Sequence, residues 1–228
     1  MSVSLRTGEM HDAEMDARRR AVVDRLATAT EALLVRYPVS EVSLTDIINA
    51  ARVAKATVYK LFSDKQHLLQ VLAERLLKVC RTYQLSDFDD VDPEDWREVY
   101  TRLCHGASAF YHDRPAAIRL WLANDSPASI RAVDQASDAA FLAWIHNRFS
   151  STAWHARLPD PVGDVDVLTG AFRIYDAILT LGFSRAGHAV PQRFFDEAKR
   201  ASLAYVATYL DVPDRRVRPR ISSHTRNY

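Results

Sequence analysis

Lys55, Thr57, Tyr59 and Lys60 crowd into six residues, and these side chains together suit a surface that meets a polyanion and reads its edges. Lysine reaches the acceptors of guanine, threonine meets a base edge or a thymine methyl, and tyrosine or lysine holds a phosphate. Between and around them stand Ile47, Ile48, Ala51, Val53, Val58 and Phe62. In two short helices joined by a tight turn these apolar groups close on one another, with Val53 plugging the turn, and the polar set is left facing outward. The second helix is expected over Lys55–Leu61. A helix of that size is roughly 12 Å long, about the width of the B-DNA major groove. Ser43 and Thr45, at the start of the preceding helix, and Lys65, just beyond the pair, complete the candidate set for DNA contact. Lys65 would sit in the first turn of the next helix, where free amides and the helix dipole favour a phosphate.

Several elements must position these groups. Apolar residues recur at spacings of three and four along nearly the whole chain, which predicts an all-α fold. A first helix is expected from Glu14 to Tyr37, stopped by Pro38, after a loose arm at 1–13. Ser43 with Asp46, and Ser63 with Gln66, have the spacing of capping boxes that open a second and a fourth helix. The fourth helix carries Leu68, Leu69, Leu72, Leu76, Cys80 and Tyr83 on one face. Further helices are expected near Pro93–His112, Pro115–Ala123, Ser129–Phe149, Asp164–Arg185 and Pro191–Leu210, for about nine in all. The expected organisation is a helix-turn-helix unit at 14–65, a helical bundle at 66–212 and a basic mobile tail at 213–228.

The run TDIINAARVAKATVYKLFSDK, from Thr45 to Lys65, resembles the N-terminal signature of the tetracycline-repressor (TetR) family of transcriptional regulators. The Thr57, Tyr59, Phe62 and Lys65 spacing is the most specific part of the match. The resemblance implies a homodimer that places two recognition helices on a palindromic double-stranded DNA operator, with phosphate contacts at Tyr59 and Lys65. It implies repression relieved by a small-molecule effector, and pairing of the last two long helices with their copies. Three positions depart from the family pattern: Arg52 stands for the usual turn glycine, Ala54 for the capping serine and Ala56 for a second glycine.

The rest of the chain carries weaker signals. Trp96, Tyr100, Cys104, Trp121, Trp144, Phe172 and Tyr175 are candidates to border a cavity for an apolar or aromatic effector. Leu168, Phe172, Tyr175 and Leu179, with Ala198, Ser202 and Tyr205 on the following helix, form the stripes expected at the dimer interface, and burial inside one subunit is the competing use of the same stripes. The net charge of +1 conceals +3 over 1–82, −6 over 83–212 and +4 over 213–228, so the reading unit is basic and the remainder acidic. No catalytic triad, phosphate loop or metal-ligand spacing stands out, so neither enzyme activity nor a cofactor is expected. Cys80 and Cys104, the only two cysteines, have the setting of small core residues. A cytoplasmic protein without membrane association is expected. The rival functions are a helical interaction protein that has lost specific DNA binding and a small all-α enzyme.

Overall fold

The computed structural model describes residues 3–211 apart from 87, 89, 124, 163–165 and 188, with side chains from residue 15 onward. The basic tail expected at 213–228 lies outside the described residues. The described chain forms α1 (Val3–Leu34), α2 (Leu44–Ala51), α3 (Lys55–Leu61), α4 (Lys65–Leu85), α5 (Trp96–Asp113), α6 (Pro115–Trp121), α7 (Ala128–Phe149), α8 (Val167–Ala186) and α9 (Gln192–Leu210), with a 3-10 turn at His155–Arg157. The all-α expectation holds, and no described helix is long and apolar enough to cross a membrane.

Helix boundaries follow local chemistry. α1 starts at Val3, so the expected loose arm is helical from that residue on. It ends at Leu34 instead of Tyr37, because a residue before proline is pushed away from the helical region. The amides of Arg36 and Tyr37 close a turn onto the Leu33 carbonyl at 3.0 and 2.9 Å, and the Tyr37 ring is left exposed. α4 is capped by Asp64, whose carboxylate accepts from the His67 amide at 2.8 Å, and not by Ser63 as the spacing suggested. The aspartate charge also meets the positive end of the helix dipole, which a serine hydroxyl does not.

One contiguous apolar core runs from Leu26 on α1 to Leu210 on α9. The first turns of α4 lie against α1, where Leu68, Val71 and Leu72 meet Val23, Leu26 and Ala27, and Arg75 pairs with Asp24 on the same seam. Farther along, α4 packs on α5 and α7, and α8 pairs with α9. Gly106 on α5 makes the α4–α5 approach possible: a β-carbon there would stand 2.3 Å from the Tyr83 carbonyl oxygen and 2.5 Å from the Gln84 Cα. At the α8–α9 seam, Gly170 and Gly182 leave room for the rings of Tyr205 and Phe194.

Candidate functional site

α2 is fixed at both ends. The Ser43 hydroxyl accepts from the Asp46 amide at 3.1 Å while the Asp46 carboxylate accepts from the Ser43 amide at 2.9 Å. The same hydroxyl also donates to that carboxylate, and these hydrogen bonds hold the Asp46 carboxyl below the usual carboxylate range. At the other end Arg52 takes the left-handed conformation, with φ 52°. Arg25 reaches from α1 to donate to the Ala51 carbonyl at 2.7 Å and to the Arg52 carbonyl, so a side chain from another helix ties down carbonyls the helix end leaves open. α3 follows with Ala54 at its start and no side-chain cap.

The core side of this pair is closed by Ile47, Ile48, Ala51, Val53, Val58 and Phe62, all buried. Tyr59, at 51% exposure, stands outward from α3. Lys55 and Lys60 are exposed beside it, Thr57 is half-buried, and the Lys55 ammonium lies 5.7 Å from the centre of the Tyr59 ring. Ser43 and Thr45 are exposed at the start of α2, but the Ser43 hydroxyl is already committed to Asp46. Lys65 departs from expectation. Its ammonium donates to the carbonyls of Val39 and Val42, each at 2.9 Å, so it clamps the α1–α2 loop instead of presenting a free cation to a phosphate.

A cavity of about 60 Å³ opens in the bundle between α4, α5, α6, α7 and α8. Of the candidate effector residues, Cys104, Trp121, Phe172 and Tyr175 line it, together with Leu77, Cys80, Leu103, Ala107, Tyr111 and Leu122. Trp96 and Tyr100 border a separate apolar pocket with room of only about 10 Å³, and Phe172 touches both. Tyr100 stacks on Phe172 with ring centres 6.1 Å apart. Trp144 does not reach either space. It is 37% exposed and stacks on the outer side of Phe141 at 5.8 Å, because its position on α7 faces away from α5 and α8. Burial pushes the thiols of Cys80 and Cys104 up to about 12, so both are inert packing groups.

Charged residues in the cavity wall had no signal in helical periodicity. Arg81 and Gln84 come from α4, Asp134 and Asp138 from α7, and Asp176 from α8. The Arg81 guanidinium donates to Gln84 at 2.5 Å, Ser137 at 3.2 Å and Asp138 at 3.1 Å, and lies 4.0 Å from the centre of the Phe141 ring. Burial, reinforced by Asp138, raises the Asp134 carboxyl to about 6. Burial and the Asp138 and Asp134 charges push Asp176 well above the usual carboxylate range. The four-residue spacing of Asp134 and Asp138 on α7 is the trace of this cluster in the sequence, and it has the pattern of an ordinary solvated face.

Residues 26–72 match the family model described as bacterial regulatory proteins, tetR family. The helix-turn-helix of residues 26–72 is of the tetR-family type. Over 84 residues the chain is 26% identical to an uncharacterized HTH-type transcriptional regulator of Haemophilus influenzae, a match spanning 36% of this chain and 45% of that protein. The chain thus spans under half the length of this curated relative. Solved TetR-family regulators share the fold across most of the molecule. One from Streptomyces coelicolor is 18% identical with a TM-score of 0.60, covering 83% of this chain and 99% of its own. One from Haemophilus influenzae is 16% identical with a TM-score of 0.57, covering 82% and 97%.

The last two helices of this TetR-type fold correct the expected interface. Leu168, Tyr175, Leu179, Ala198 and Ser202 are buried inside the single chain, with the Ser202 hydroxyl donating to the Ala198 carbonyl at 2.7 Å. Phe172 turns to the cavities and Tyr205 lies over Gly170. The inward stripe was the more apolar one because it packs on α5 and the cavity. The outer faces present Ile174, Ala177 and Leu181 on α8, with Ala201, Ala204 and Tyr209 on α9, all exposed or half-exposed.

Proposed function

We propose that the protein is a ligand-responsive transcriptional repressor that acts as a homodimer on a palindromic operator. The observation that carries this is the exposed face of α3, with Lys55, Thr57, Tyr59 and Lys60 standing over a base closed by Val58 and Phe62. Lys55 and Thr57 read base edges, while Tyr59, Lys60 and the Thr45 hydroxyl hold phosphates. Ser43 and Lys65 act indirectly, by fixing the start of α2 and the loop before it. The reading head extends past residue 65 to the α4 turns that pack on α1. The bundle beyond it binds the effector in the cavity and forms the dimer through the outward faces of α8 and α9. Half-site centres would lie about 34 Å apart or a multiple of it, as two-fold readers of successive major grooves require.

α4 supports a route between the two activities, since Lys65 grips the head at one end and Arg81 and Gln84 face the cavity at the other. Polar bridges also join head and bundle: Ser40 with Asp125 at 3.0 Å, Arg114 with Glu31 at 3.2 Å and Gln66 with Ser129 at 2.7 Å. A ligand that prefers the conformer with misplaced recognition helices would weaken DNA binding by its differential affinity. The test begins with fragments selected from genomic DNA and binding isotherms at several salt concentrations. Lys55→Ala should cost about 1–3 kcal/mol and relax preference at one base per half-site, whereas Tyr59→Phe should weaken all sequences alike. Failure of the folded protein to select any fragment, with no salt dependence, would leave the interaction-protein reading standing.

A further inference from the structure

The wall of the bundle cavity has an unusual charge composition for an apolar pocket. Three carboxylates, Asp134, Asp138 and Asp176, meet there against the guanidinium of Arg81 and that of Arg173, which lies at the rim with half its side chain exposed. Arg81 is not free for an anion, because Gln84, Ser137, Asp138 and the Phe141 ring already take it up. Arg173 stands 3.7 Å from Asp138 and only 4.0 Å from Asp176. Asp134 has no hydrogen bond or ion pair among the described residues, so Asp134 and Asp176 are the poorly compensated acids. Half-buried carboxylates crowded by their own kind are stabilised by an arriving positive charge.

A second set of groups points to a ligand independently of the acids. Tyr111 is only 8% exposed and lines the cavity, yet its hydroxyl has no hydrogen-bond partner among the described residues. Gln84, at 6% exposure, gives its carbonyl to Arg81 and leaves its NH2 unpaired, and the buried Trp121 indole N–H is also unpartnered. Aromatic walls from Trp121, Phe172 and Tyr175 complete the space. Such rings offer their negative faces to a cation, and the unpaired donors ask for an oxygen on the same molecule.

We propose that the effector is a compact organic cation: an ammonium head between Asp134 and Asp176, and an apolar or aromatic body carrying an acceptor oxygen against Trp121, Gln84 and Phe172. This rests on the reading of the cavity as the effector site and narrows the effector from apolar to cationic. The cavity is about 60 Å³, and a water needs roughly 10–15 Å³ on such a measure, so the enclosed part takes only a handful of heavy atoms. The body of a larger ligand extends toward the mouth.

Three probes of one shape separate charge from fit: 2-phenoxyethylammonium, 2-phenoxyethanol and phenoxyacetate, titrated calorimetrically into the full-length protein near neutral pH. The ammonium is expected to bind about ten-fold or more tighter than the alcohol, with the carboxylate weakest. Asp134→Asn and Asp176→Asn should each remove about ten-fold of the ammonium affinity while leaving that of the alcohol nearly unchanged, which also shows that the variant cavities are folded. Equal or tighter binding of the alcohol or the carboxylate overturns the proposal, as does an ammonium that fails to bind at millimolar concentration or binds both variants undiminished. Retention on selected DNA is measured in parallel. An ammonium that binds in the cavity without changing DNA affinity ends the effector reading and leaves the cation site standing; an alcohol that binds better and releases DNA does the reverse.

Discussion

Arg52 closes the turn between α2 and α3 in the left-handed conformation at φ 52°, where a side chain costs roughly 1–2 kcal/mol. Glycine at this position avoids the clash but gives back part of the gain through its larger unfolded-state entropy. Arg52→Gly is therefore expected to stabilise the fold by up to about 1 kcal/mol, read as a rise in the urea midpoint. A fall in the midpoint would mean that the Arg25 grip on the Ala51 and Arg52 carbonyls depends on the arginine backbone as it stands. Asp134 supplies a second expectation. Its folded carboxyl is raised to about 6 from an ordinary 3.8, chiefly by burial and then by Asp138. Below pH 4 both states hold the proton and nothing is lost. Between that range and about pH 6 the unfolded chain ionises first, so stability falls as pH rises, and above it the penalty stays constant. Asp134→Asn should thus raise the melting temperature at pH 8 but not at pH 4. The gain is at most about 3 kcal/mol for a shift of this size, less whatever local relaxation recovers. Equal effects at both pH values would place the carboxylate in water.

Helices meet where a residue is missing a side chain, and Gly106 shows how narrow that condition is. A β-carbon at Gly106 would overlap backbone atoms of Tyr83 and Gln84, which cannot rotate away. Gly106→Ala should separate α4 from α5 and cost at least about 1–3 kcal/mol, measured by chemical denaturation, with Gln84 displaced from the cavity wall. A variant of unchanged stability and unchanged ligand affinity would refute this account of the seam. Periodicity in the sequence is enough to predict the nine helices of the described residues and most of their ends, because every apolar stripe reports a buried face. It is enough for the reading head as well: the Ser43–Asp46 box, the Val53 plug and the outward Tyr59 follow from residue types alone. What it does not reveal is pairing between distant residues. Nothing near Arg25 in the chain announces the α2 carbonyls it holds, and Lys65 looks like a free cation until Val39 and Val42 are brought beneath it. The same limit hid the cavity acids, since Asp134 and Asp138 have the spacing of a solvated face and only folding brings Asp176 beside them. Amphipathic stripes also lack a label for what covers them, which is why the stripes of α8 and α9 suit a partner chain and the subunit's own bundle equally in the sequence.

At the level of the whole molecule, the distinction between the two faces of α8 and α9 separates folding from association. Ala198 is wholly buried within one chain, so Ala198→Glu would bury an unpaired charge and unfold the protein. Ala204 is exposed on the same helix. Ala204→Glu, and equally Leu181→Glu at a position 47% exposed, should leave circular dichroism unchanged while converting the proposed dimer to a monomer with much weaker operator binding. Sedimentation velocity distinguishes the cases; folded Ala204→Glu and Leu181→Glu proteins that still sediment as dimers would move the interface off α8 and α9.

The continuity of the core from Leu26 to Leu210 has a consequence for anyone who would treat the proposed DNA-reading part as an exchangeable module. The seam between α1 and α4 is built from Leu68, Val71 and Leu72, and α4 runs unbroken to Leu85. A graft cut at residue 65 would uncover Val23, Leu26 and Ala27 of α1, and one cut in mid-helix would expose a frayed end at Ala73 or Leu76, which are buried. Chimeras that respect the chain should therefore carry α4 whole with the head and place the junction between Leu85 and Trp96. A swapped bundle must then offer α4 the surfaces that α5 and α7 offer here, and α1 the surface of α6, so the choice of donor scaffold is restricted by these seams more than by the proposed DNA contacts of α3.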